Sequence, residues 1–281
     1  MVQAFVTTKW LHTHLHDKNL VIFDCRFDLS DSELGRELFE NSHLPNARYL
    51  HLEKDLSGPK EKQGGRHPLP DLHVFSEKLG HEGIDRTKTV IAYDDQDGAM
   101  AARLWWLLRF IGHDNVLILN GGFSKWVQDG YPVTKNVQQP KQTVFTPAVR
   151  KEMLVSMEEV KKKLGDKKTV LIDSRDPERY KGNVEPIDPV GGHIPHAVNL
   201  FWKENIDENG IWKSEEILRD QFSSVDKNKE LVVYCGSGVT ACANIIALYS
   251  VGLEAKLYAG SWSDWISYEE NPIVKETTAD K

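Results

Sequence analysis

The feature that most constrains this chain is that it repeats itself. VIFDCR (residues 21–26) answers VLIDSR (170–175), and HLPNA (43–47) answers HIPHA (193–197). TVIAYDDQDGAMAARLWWLL (89–108) answers ELVVYCGSGVTACANIIAL (230–248), and NGGFSKW (120–126) answers AGSWSDW (259–265). Units of about 130 residues have the size of independent domains rather than of solenoid repeats. The expected division is a first domain over 1–136, a linker over 137–150 carrying Pro140 and Pro147, and a second domain over 151–281. Inside each unit, β-branched runs (VIF, TVIAY, VLIL; TVLI, LVVY, AKLY) alternate with amphipathic stretches such as AARLWWLLRFIG and ACANIIALYSVG. Strand and helix in alternation predict an α/β fold, each unit a mainly parallel sheet with helices on both faces. Ligands of such sheets sit beyond the carboxyl ends of the strands.

Composition removes several classes of function. A formal charge of −7 without any Lys/Arg-rich block leaves no stripe for a phosphate backbone, so nucleic acid is not expected as a partner. No charged-then-apolar leader opens the chain and no long apolar run follows, which predicts a cytoplasmic protein without a membrane partner. Its three cysteines, Cys25, Cys235 and Cys242, are odd in number and lack CxxC spacing, so neither a disulfide framework nor a metal site is indicated.

One of the three is placed unlike the others. Cys235 ends the run LVVY and begins the loop CGSGV, after which a helix is expected to open near Thr240. Amides of such a loop and the positive end of a helix converge on one point, and Gly236 and Gly238 permit the positive φ this needs. A thiol there is expected to ionise readily. In the repeat its place is taken by Asp94, followed by DQDG without the paired glycines, an exchange that packing alone does not explain. Cys25 and Cys242 read as core. GSGVTA also fits a dinucleotide fingerprint, but the acid that such a fold needs is misplaced. A cysteine phosphatase would need an arginine where Ala241 stands.

The two-copy layout, D-x-R, H-[IL]-P-x-A, C-G-S-G-V-T and the G-[GS]-[FW]-S-x-W segments together resemble the two-domain rhodanese family, the thiosulfate and 3-mercaptopyruvate sulfurtransferases. The resemblance covers nearly the whole chain. It implies tandem rhodanese-like domains, the first without a nucleophile, and transfer of sulfane sulfur through a Cys235 persulfide held by the amides of Gly236, Ser237, Gly238, Val239 and Thr240. Cyanide, a small thiol or a thioredoxin-like protein would accept the sulfur, and no cofactor is implied. RDPERYKG (175–182) matches the substrate-arginine segment at Arg179, and Arg66 is a candidate for the same anion. A serine–histidine–acid set across the cleft is implied at Ser237, His67 and Glu53, with Asp55 a near alternative to Glu53. Donor choice stays open: neutral Gly236 and Ser237 favour 3-mercaptopyruvate, whereas residues 182–195 offer Asp188 where a second arginine is expected. The rival reading is a catalytically silent binding module of the same fold.

Other conspicuous residues are expected to be structural. Asp24 with Arg26 and Asp173 with Arg175 occur in both halves and read as ion pairs, as His43 and His193 read as ties to the backbone. HTHLH (12–16) reads as a solvated helix, and Trp105, Trp106, Trp126, Trp262 and Trp265 as packing.

Overall fold

The computed structural model describes residues 3–276. Strands β1 (Phe5–Val6), β2 (Leu20–Asp24), β3 (Ala47–Tyr49), β4 (Thr89–Tyr93) and β5 (Val116–Leu119) form a parallel sheet in the order β1-β5-β4-β2-β3. Strands β6 (Leu154–Val155), β7 (Thr169–Asp173), β8 (Val198–Asn199), β9 (Glu230–Tyr234) and β10 (Ala255–Tyr258) repeat it as β6-β10-β9-β7-β8. Helices α1 (Thr8–His14), α2 (Leu34–Asn41), α3 (Leu72–His81), α4 (Ala99–Phe110) and α5 (Gly122–Gln128) belong to the first half. Helices α6 (Met157–Lys162), α7 (Pro177–Lys181), α8 (Glu215–Gln221), α9 (Ala241–Ser250) and α10 (Ser261–Trp265) belong to the second. Parallel strands need both faces covered, which is why the central strands β4 and β9 are buried almost throughout.

The repeated motifs are wired alike. Arg26 clasps Asp24 and reaches Ser42 O at 2.7 Å; Arg175 clasps Asp173 and reaches Gly192 O at 2.5 Å. Tyr93 donates to Asp24 at 2.7 Å and its hydroxyl accepts from the Leu44 amide, while Tyr234 accepts from Ile194 at 3.1 Å. His43 Nδ1 meets Phe39 O and His193 Nδ1 meets Tyr180 O. Buried ion pairs and ring nitrogens with fixed partners hold the strand ends in register.

The two halves share one core. Helices α4 and α9 pack against each other, and the largest apolar cluster runs from Phe23 and Trp106 to Val233 and Ile246. The five tryptophans named above are all buried. The 137–150 segment lies against the first half: the Thr143, Ala148 and Arg150 amides bond to Gly80, Ile111 and Phe110, and Phe145 is buried. At the amino end, α1 stops at His14, so His16 lies outside it, and His12 stacks on Tyr131 rather than facing water alone.

Candidate active site

Cys235 follows the last residue of β9, and the start of α10 pins its loop from behind. Its amide donates to Ser261 Oγ at 3.1 Å, while Trp262 N and Ser263 N donate to the carbonyls of Cys235 and Gly236 at 3.0 and 2.9 Å. The sulfur, buried with its residue at 1% exposure, accepts the Gly238 amide at 3.1 Å. That contact needs glycine: φ is +77°, and a Cβ would stand 2.2 Å from Ala259 O. Helix α9 starts directly after Thr240, where the sequence suggests, without a capping hydrogen bond from its side chain. Of the loop amides, only that of Gly238 meets the sulfur; those of Gly236, Ser237, Val239 and Thr240 have no acceptor among the described residues. The loop therefore carries spare amide donors besides the one that meets the sulfur, suited to negative charge developing there. Cys25 and Cys242 are different: burial pushes Cys25 well above the ordinary thiol range and Cys242 up to about 12. Both stay protonated and inert.

The first half corrects the sequence reading. DQDG lacks the paired glycines, yet the amide cradle is there, with Gly98 at φ +82°. Asp94 fills it with its own carboxylate, accepting the amides of Gln96 (2.9 Å), Gly98 (2.8 Å), Met100 (2.7 Å) and Ala101 (2.8 Å). The loop after the fourth strand of this fold is thus an anion cradle, occupied by a side chain in one half.

Residues of the first half close over the second. His67 is buried, and its Nδ1 lies 2.8 Å from Ser237 Oγ. Burial and the charges of Arg103, Arg66 and Lys60 bring its pKa down to about 4, so it is neutral at ordinary pH and can take a proton. Glu53 lies 3.9 Å from His67 Nε2, with its side chain half exposed. Asp55 is engaged elsewhere, accepting the His51 amide at 2.8 Å and facing Lys78. Arg66 is anchored by its own amide to Ser263 Oγ at 3.1 Å. A Cβ on Gly236 would stand 2.8 Å from the Arg66 guanidinium and 3.7 Å from that of Arg179. The bare position therefore lets two cations reach the mouth of the loop. Arg179 is not free, since Glu185 holds it at 2.7 Å and Asp188 at 3.2 Å, and Asp188 also pairs with Arg66.

The model of the rhodanese-like domain matches the chain twice, over residues 7–129 and 156–268. The chain belongs to the rhodanese family. A probable 3-mercaptopyruvate sulfurtransferase of Pseudomonas aeruginosa is 39% identical over 275 residues, 96% of this chain and 97% of that one. The thiosulfate sulfurtransferase of Rattus norvegicus is 33% identical over 94% of this chain and 92% of its own. Among solved structures, SseA of Escherichia coli, from a study of 3-mercaptopyruvate sulfotransferases, superposes with a TM-score of 0.82 at 31% identity, covering 93% of this chain and 99% of SseA.

Within this rhodanese pair, the sequence left three charged residues without a role. Glu185 braces Arg179 and also lies 3.4 Å from Arg175. Asp188, noted only as a missing arginine, bridges Arg66 and Arg179 across the domains. Arg103, in the middle of an apolar helix, is fully buried between the two halves. Its one sequence signal is a charge inside AMAARLWWLL, where a core helix should have none.

Proposed function

We propose that sulfane sulfur passes from a small anionic donor to a thiophilic acceptor through a persulfide on Cys235, and that 3-mercaptopyruvate is the better donor. The chain is a sulfurtransferase. Cys235 as thiolate attacks the donor sulfur; with 3-mercaptopyruvate the S–C bond breaks and its electron pair leaves on the pyruvate enolate. The proton first carried by the donor thiol ends on that carbon, giving pyruvate and Cys–S–S⁻. With thiosulfate the S–S bond breaks and sulfite leaves, with no proton to deliver. The donor anion replaces Asp188 on the Arg66 and Arg179 guanidiniums. The open amides from Gly236 to Thr240 then meet the charge of the persulfide, as those of the first half meet Asp94.

The observation that carries the donor preference is the 2.8 Å contact between His67 and Ser237, a proton carrier beside the nucleophile that only the enolate-forming reaction needs. The test is turnover with each donor in Ser237→Ala and His67→Gln. Both variants should lose about 100-fold or more with 3-mercaptopyruvate while thiosulfate turnover falls much less. Equal losses would remove the preference. Three free buried cysteines suit a reducing compartment, which supports a cytoplasmic site of action, and no helix of the described residues is long and apolar enough to cross a membrane. A small thiol, cyanide or a reduced thioredoxin-like protein is proposed as acceptor.

A further inference from the structure

Arg103 sends its guanidinium from α4 across the domain boundary. It donates to Gly238 O at 3.1 Å on one side, and to His67 O at 3.1 Å, Pro68 O at 3.3 Å and Leu56 O at 3.4 Å on the other. It is 0% exposed, and among the described residues no carboxylate pairs with it. A buried cation met by carbonyl dipoles and the Cys242 thiol, with no carboxylate beside it, is costly to keep, and an anion forming nearby offsets that cost. The sulfurs of Cys242 and Cys235 are the groups that favour its charge against burial. Cys242 is held protonated, which leaves Cys235. Gly238 links the two directly, giving its amide to the Cys235 sulfur and its carbonyl to Arg103. The charge is no general feature of the repeat, because α9, the counterpart of α4, contains no charged residue. It is present only on the side that meets the nucleophile.

We propose that Arg103 is the buried counter-charge of the Cys235 sulfur, a positioning residue that fixes the cysteine loop against the His67 loop and favours the anionic states of that sulfur, thiolate before attack and persulfide after it. The inference rests on Cys235 being the sulfur carrier. The other charged or titratable groups facing the loop are Cys242, which donates to the same Gly238 carbonyl at 3.4 Å, Arg66 and Arg179, both paired with Asp188, and His67, neutral above about 4.

The test follows the rate of iodoacetamide capture at the Cys235 peptide against pH. In Arg103→Gln the rise of rate with pH should move to higher pH, with capture about tenfold slower near neutrality. Arg103→Lys should recover most of the loss, since it restores charge without the fork. A bracing role alone would lower the melting temperature and leave the pH profile in place, and an unmoved profile overturns the inference. Should Arg103→Gln not fold, the native protein against Cys235→Ala decides. The native protein's advantage in melting temperature should widen as pH rises and the sulfur ionises, and a constant difference overturns the inference. An unmoved profile in protein that still loads sulfur on Cys235 removes the role of Arg103 alone, whereas native protein that loads no sulfur there removes the reaction itself.

Discussion

Three residues set the chemistry through what they exclude or compete with. Gly238 has no room for a Cβ and a φ of +77°, so Gly238→Ala should cost about 2–4 kcal/mol and displace the one amide that meets the sulfur. Thermal unfolding and sulfur loading should both fall; a variant that loads normally would show that this amide is dispensable. Asp188 sits where the donor anion must go. Asp188→Asn should lower KM for both donors severalfold with kcat nearly unchanged, and a raised KM in steady-state assays would contradict that competition. His67 gives a pH signature. The unfolded imidazole takes a proton near 6.5 and the folded one only near 4, so the unfolded chain binds it first as pH falls. Stability should drop by about 3 kcal/mol across that window and level off below it. Denaturant titrations of His67→Gln should lack this slope. Cys235 stood out in the sequence because loop, repeat and family pattern all marked it, whereas Ser237 and His67 were suggested by the family pattern alone and Arg66 by its place beside His67. Arg103 and Asp188 were not legible there, because partners of each are brought together only by the docking of one half on the other, and Glu185 was not, because the loop after α7 has to fold back before it meets Arg179 and Arg175.

At the level of elements, the duplication predicted a parallel sheet in each half and the matched placement of motifs, since β-branched runs and D-x-R pairs recur at matched places; the strand order came only with the structure. It misjudged the loop after β4. The glycine count suggested that the cradle had been lost, but four amides still converge on Asp94 because strand end, turn and helix start generate the cradle by geometry. Asp94→Asn turns one acceptor into a donor facing amides and should destabilise the fold by about 2–4 kcal/mol. Loading of Cys235 at room temperature should be unchanged. A loading defect would mean that the two cradles are coupled.

The whole molecule behaves as one body in this account. The α4–α9 contact, the shared core and the polar ties from Arg66, His67 and Arg103 make the first half part of the second half's site. Denaturation followed by tryptophan fluorescence and by Cys235 accessibility should therefore give coincident transitions, and separated ones would contradict a shared core. The central claim, that one sulfur in an amide cradle carries the transferred atom, is tested most directly by mass mapping of the protein after incubation with 3-mercaptopyruvate. One added sulfur is expected on the Cys235 peptide of the native protein and none in Cys235→Ser. No adduct, or an adduct on Cys25 or Cys242, would contradict it.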